Sequence, residues 1–208
     1  MTTQQQKAYL DPFTTVAQSN NDLSVDSKVE TLGKILKAAR FCMMTTLSTD
    51  GSELHSRCMY PASTENLQFQ FVANKVSYKF EELNKNNLIH LSFLDSNSTS
   101  WASITGHATV TNDPELVKKL WSPTLSGYFA DLQDGVHNST PSDPRISIIT
   151  VKTQSVRYWY STQGAVSHAL DTARAAVTGK LTVPGELYTL SSQEIQKVCA
   201  SNKPYSAM

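Results

Sequence analysis

The sequence predicts an α+β domain, mainly antiparallel β, in which six or more short strands close a small barrel and helices cap its ends. Three observations predict it. The hydrophobic period changes from helical to two-residue after about residue 40. The strands that follow are joined by tight turns, so they pair mostly antiparallel rather than as a doubly wound sheet. Several short strands within one chain length of 208 residues suit a small closed sheet.

The elements follow in order. Residues 1–23 are rich in Gln, Thr, Ser and Asn and are expected as a disordered or loosely ordered N-terminal arm. Val25, Val29, Leu32, Leu36 and Ala39 recur at helical spacing and predict an amphipathic helix over 25–39. FCMMTTLS (41–48) predicts a strand, and Asp50-Gly51 a hairpin turn. ELHSRCMYPAS (53–63) is the returning strand. In LQFQFVAN (67–74), Leu67, Phe69 and Phe71 share one face, and Gln68, Gln70 and Val72 the other. SYKFEELNKN (77–86) predicts a short helix with Ser77 as its cap and Phe80 and Leu83 on its buried side. Strands are expected over 87–95 and 101–111, and Asp113-Pro114 opens a helix over 113–121. Residues 122–144 read as a long loop, and 146–161 as one long or two short strands. Residues 165–177 read as a helix of small residues. The folded domain is set at 24–180, with 181–208 a polar C-terminal tail that can hold a short helix.

Composition narrows function. Lys+Arg and Asp+Glu are each 18, so the net charge is zero. That argues against a nucleic-acid binder, which carries a basic excess or stripe, and against a polybasic membrane binder. No apolar run approaches the ~20 residues of a spanning helix. The first residues lack a secretory core and no Arg precedes Arg40, so a cytoplasmic location is expected. Cys42, Cys58 and Cys199 are an odd, widely spaced set, expected as reduced thiols. The two Asn-x-Ser/Thr sites, at Asn97 and Asn138, are then chance matches.

Several chemistries lack their motifs: no G-x-G-x-x-G, Walker A loop, C-x-x-C, H-E-x-x-H or G-x-S-x-G occurs. His55, His90, His107, His137 and His168 never fall three or four apart, so no metal site is expected. His55 and Cys58, three apart on a strand, point to opposite faces and make no nucleophile pair. The informative pattern is FVANKVSYK, where a strand gives way to a helix carrying Ser77 and Lys79, with Arg57 in the adjacent strand. Cations and hydroxyls around a helix start suit an anion, most naturally a phosphate monoester. A capped helix with two solvated cations is the plain alternative. Trp101 and Trp121 are candidates for a flat ligand wall, against simple core mass.

Three stretches carry a resemblance: TTLSTDGSELHSRCMY, LQFQFVANKVSYKFEELNKNNLIHLSF and WASITGHATV, the last with Gly106. They resemble, in order and spacing, the pyridoxamine 5'-phosphate oxidase-like FMN-binding split barrel, over residues 27 to 180. Leu120-Trp121, Asp143-Pro144 and Tyr158-Trp159 resemble its general stress protein and blue-light-inducible branch. The resemblance implies a six-stranded split β-barrel with peripheral helices, a homodimer, and FMN shared at its interface, with FAD left open. It implies Arg57, Ser77 and Lys79 on the phosphate, and backbone groups of Cys58, Met59 and Tyr60 on the isoalloxazine. Val72 and Ala73 would line the ring or ribityl chain, and Trp101 and Trp121 would stand as walls. Ala62 and Tyr78 replace two family cations, so weaker binding is implied. The Tyr, Arg and Ser set for pyridoxal phosphate and the C-terminal Arg-x-His pair are missing, so pyridoxamine phosphate oxidation is not expected. The function implied is a stress-related flavin oxidoreductase for a small planar substrate, or a non-catalytic flavin binder. No catalytic residue is assigned; Tyr60 and His55 are candidates only by nearness in sequence.

Overall fold

A computed structural model describes residues 6, 9–18, 23–163 and 165–201. The arm begins the described chain with a short helix, α1 (Pro12–Ala17), capped by the Asp11 carboxylate. Ala17 is buried, and Phe13 stacks on Trp159 with ring centroids 5.8 Å apart. The arm is therefore docked here, because it carries the apolar anchors Phe13 and Ala17 among its polar residues. Residues 1–5, 7, 8 and 19–22, also within the expected loose arm, lie outside the described residues.

Helix α2 (Val25–Ala39) starts where Ser24 Oγ accepts from Ser27 N, at 3.2 Å. Its buried face is Val29, Leu32, Ile35 and Leu36, and Arg40 at φ 61° ends it. The hairpin β1 (Cys42–Leu47) and β2 (Leu54–Met59) closes over Gly51 at φ 77°, a conformation that favours glycine. Asp50 fastens this turn, accepting from Ser48 Oγ at 2.6 Å and Ser52 N at 3.0 Å. Strand β2 stops at Met59, four residues short of the sequence expectation, just before Pro61.

Strand β3 (Gln68–Asn74) buries Phe69, Phe71 and Ala73 on one face, as its alternation predicts. Then come α3 (Lys79–Lys85), β4 (Leu88–Leu94) and β5 (Trp101–Thr111). Helix α4 (Pro114–Leu120) is capped by Asp113, whose carboxylate accepts from Glu115 N at 3.1 Å. The 122–144 stretch is less open than its composition suggests. It holds a helical turn at Pro123–Leu125 and the short α5 (Ser126–Phe129), with Phe129 buried. Arg145 fastens its far end, reaching Ala130 O at 2.7 Å and the Asp143 carboxylate at 2.7 and 3.0 Å.

One unbroken strand, β6 (Ile146–Ser161), forms the spine of the sheet, followed by α6 (Ala165–Thr178). The order is β2-β1-β4-β5-β6-β3, every pair antiparallel, and the sheet curls into a half-barrel. The β5–β6 register shifts between Thr105 and Gly106, where Gln154 of β6 is left without a β5 partner, a bulge that bends β6. Gly106 is required there: a Cβ would lie 2.4 Å from the Lys152 carbonyl. Phe69, Phe71 and Phe93 are fully buried inside, each contributing roughly 1.5–3 kcal/mol of burial.

The segment after 180 is more than a polar tail. Strand β7 (Gly185–Leu190) pairs with β6, and α7 (Ser192–Ala200) packs Ile195 and Val198 into the core. Its apolar residues, Leu187, Tyr188, Leu190, Ile195 and Val198, are spaced among polar ones, and that averaging hides them. Among the described residues, no helix is long and apolar enough to cross a membrane.

Candidate functional site

The β1–β2 register places Thr46 opposite His55 and Met44 opposite Arg57, so all four side chains share one face of the hairpin. Met44 is fully buried, so this face is the inner one. Helix α3 lays Glu82 against it. The Glu82 carboxylate is wholly buried and every partner comes from the hairpin. Thr46 Oγ1 donates to Oε2, Arg57 Nη2 donates to Oε2 at 2.9 Å, and His55 Nδ1 hydrogen-bonds Oε1. Arg57 Nη1 donates to Thr46 Oγ1 at 2.6 Å. His55 Nε2 reaches outward to the Glu53 carboxylate at 3.2 Å.

Lys79 lies one helical turn before Glu82 and donates to Ser77 Oγ at 2.5 Å; Ser77 Oγ in turn donates to Asn74 O at 2.7 Å. Ser77 does not cap α3, contrary to the sequence expectation. Tyr78 holds that position without a side-chain cap bond, because the Ser77 hydroxyl is turned back to the strand end.

The electrostatics form one network. Burial pushes the Lys79 ammonium below its ordinary value, and the Arg57 charge adds to this, with Glu82 opposing. Burial alone would raise the Glu82 carboxyl. The bonds from Thr46 and His55 and the Arg57 guanidinium outweigh it and hold Glu82 below the usual range. His55 is raised, first by its bond to Glu82 and then by Glu53. Two cations, Arg57 and Lys79, thus share a corner over one buried anion. That arrangement can hold a small polyanion through charge-assisted bonds.

The ten residues expected at the site fall into groups. Arg57, Ser77 and Lys79 come together at the corner. Cys58 points to the outer face opposite Met43 and is exposed, while His55 faces inward, as their spacing predicts. Met59 packs on the core. Tyr60 is half exposed, edge-on to Phe41 with centroids 5.5 Å apart. Val72 and Trp121 share an apolar cluster with Phe129 and Ala62 on the outer side of β3, whereas Ala73 faces the main core. Trp101 belongs to a third cluster, with Trp159, Ala17 and Leu187. Within one chain, then, Trp101 and Trp121 do not share a wall. Thr46 and Glu82 are corner residues that sequence reasoning missed. The available signal was the i, i+3 pairing of Lys79 with Glu82, flanking the buried Phe80 and Leu83. Among the described residues no group of three or more His, Cys, Asp or Glu could hold a metal.

The family model described as pyridoxamine 5'-phosphate oxidase like matches residues 27–182. The chain belongs to this family. Protein bli-3 of Neurospora crassa is 37% identical over 190 residues, covering 89% of this chain and 90% of that one. Three solved structures share the fold. A Clostridium acetobutylicum protein related to general stress protein 26 superposes with a TM-score of 0.56 at 17% identity, covering 68% of this chain and 94% of its own. A pyridoxamine 5'-phosphate oxidase-related, FMN binding protein of Nostoc punctiforme gives 0.50 at 12% identity, covering 64% and 82%. A heme binding protein of Mycobacterium smegmatis gives 0.53 at 11%, covering 84% and 61%.

Proposed function

We propose that this protein binds FMN and acts as a stress-related flavin-dependent oxidoreductase on a small planar substrate, without being a pyridoxamine phosphate oxidase. The convergence of Arg57, Ser77 and Lys79 at one corner carries the reading. The donor set fits a phosphate monoester: the guanidinium and ammonium keep charged N–H donors to spare, and the Ser77 hydroxyl, which donates to Asn74 O here, would turn from the strand end to reach the phosphate. FAD would present the same chemistry through its pyrophosphate. When bound, FMN supplies the redox chemistry, and the protein supplies binding and orientation. Arg57, Ser77 and Lys79 would hold the phosphate, and the backbone beyond Arg57, through Tyr60, would lie along the ring.

The site is shared between two copies in this reading. Phe41, Met43, Leu54, Tyr60 and Leu94 are exposed apolar residues on or beside the outer face of β2, β1 and β4, and a two-fold partner would cover them. It would also allow Trp101 or Trp121 of a second copy to meet the corner of the first. A mass of one chain by light scattering at micromolar concentration would remove this arrangement.

The test is a fluorescence titration of apoprotein with FMN. Saturable quenching at low micromolar FMN, one site per chain, is expected. Absence of quenching at a hundred micromolar FMN, with a Soret band on adding hemin, would transfer the cofactor assignment to haem. The second reading, a flavin carrier without turnover, draws support from Ala62 and Tyr78, which stand where the family resemblance implies two further cations, and from the engagement of His55 by Glu82 and Glu53. Mixing the loaded protein with NADH or NADPH separates the two. Fast bleaching of the flavin band supports the oxidoreductase, and bleaching no faster than free FMN supports the carrier.

A further inference from the structure

We propose that Glu82 is the positioning residue of the phosphate corner, joining the half carried by β2 to the half carried by α3. The inference rests on the phosphate reading above. Glu82 and Lys79 are one turn apart on α3, and Arg57 stands on β2. The carboxylate that Arg57 and Lys79 share, among the described residues, is therefore also the joint between their elements.

Its bonding shows which way it acts. Both oxygens are engaged, Oε1 by His55 and Oε2 by Thr46 and Arg57, and none of the side chain is open to solvent. A ligand anion that displaced Glu82 would leave a buried carboxylate without donors, a costly outcome. Glu82 therefore stays in place and does not compete for Arg57. Meanwhile Arg57 spends one N–H on Thr46 and one on Glu82, out of five. Its side chain is 23% exposed, so the fork is pinned from beneath while the remaining donors stay available. An arginine fixed in this way loses less freedom when it binds an oxyanion. Thr46 serves the same end, since its hydroxyl accepts from Arg57 and donates to Glu82.

The experiment compares FMN with riboflavin, the same ring and side chain without the phosphate. Dissociation constants for both are measured on the full chain and on the Glu82→Gln and Thr46→Val variants. The amide keeps the shape of Glu82 but cannot accept from both Arg57 and His55. In Glu82→Gln, FMN should weaken about tenfold, the scale of one charge-assisted hydrogen bond, with riboflavin binding unchanged. Thr46→Val, which keeps the side-chain shape, should reduce the preference for FMN by about threefold, the scale of a neutral hydrogen bond, and it carries the test alone if Glu82→Gln does not fold. Equal weakening of both flavins would make Glu82 a structural residue and overturn the proposal. So would an unchanged preference, and so would tighter FMN binding, which would make Glu82 a competitor. A wild-type protein that binds the two flavins equally would instead remove the phosphate reading itself, and this inference with it.

Discussion

Glu82 and Glu194 each close a buried ion pair, and the two pairs are built inside out with respect to one another. At the first, the anion is wholly buried and its cation, Arg57, is 23% exposed. At the second, the cation Lys28 is 8% exposed, and Glu194, 2.9 Å away, is 22% exposed. The second carboxylate is consumed by its own helix. It accepts from Ser191 N at 2.8 Å and Ser191 Oγ at 2.9 Å in a capping box. The Lys28 carbonyl accepts from Tyr158 OH at 2.8 Å, deep in the core. Burying the anion leaves cations facing outward, where a ligand can use them. Burying the cation leaves nothing to offer, so that pair staples α2 to α7. Location, then, separates the proposed binding corner from a structural clamp, although both are carboxylate–cation pairs.

The largest effect should come from the clamp. Glu194→Ala leaves the Lys28 ammonium buried and unpartnered and opens the cap of α7. A loss of about 3 kcal/mol is expected. Urea unfolding should show it, with FMN affinity of the folded variant unchanged. A variant that kept its stability and lost flavin would reverse the assignment of the two pairs.

At the corner the expectation is the opposite. Lys79→Ala should weaken FMN by about 1.5–3 kcal/mol, the range for a hydrogen bond to a charged group. Stability should barely move, because Lys79 is desolvated there and its ordinary value is already depressed. An unchanged dissociation constant would take Lys79 out of the site.

How far the sequence revealed these two regions differs for a physical reason. Arg57, Ser77 and Lys79 were visible because polar residues at a strand-to-helix junction already imply anion chemistry. The strands β1 to β6 were visible through their period of two, and Asp50-Gly51 fixed the hairpin. Glu82 was hidden, because next to Glu81 it reads as a solvated helix face. Only the helix phase, which turns Glu82 and not Glu81 inward, makes it a core residue. The clamp was hidden more deeply, since Lys28 and Glu194 stand 166 residues apart. No local pattern joins such a pair. Strand β7 was concealed differently: it lies close to β6 in the chain, but β6 supplies the pairing that its own mixed composition does not announce.

The pH dependence sharpens the contrast at smaller scale. His55 is raised above 6.5 in the folded state by Glu82 and then Glu53, so its contribution is complete below 6.5 and lost as pH rises through the folded value. Glu82 is lowered from 4.5 against its own burial, so its contribution holds above 4.5 and fades as pH falls through the folded value. Both are present between those limits. Melting curves of His55→Gln should fall furthest below wild type near about pH 5.5 and converge on it near about pH 9. A gap that widens toward alkaline pH would mean that His55 serves the folded state as a neutral ring.

The smallest effect tests where the boundary between the two regions lies. Phe13 stacks on Trp159 beside Trp101, on the side of the molecule that β7 covers. Phe13→Ala should cost about 0.5–1.5 kcal/mol, the value of an aromatic pair, seen as a small drop in the urea midpoint. Phe13 is 42% exposed, which keeps the loss toward the lower end. If the Trp101 cluster is structural within its own chain, FMN affinity stays as it was. If FMN affinity changes while the midpoint holds, the arm borders a flavin wall formed by Trp101, and the functional region extends from the Glu82 corner to the far end of β5.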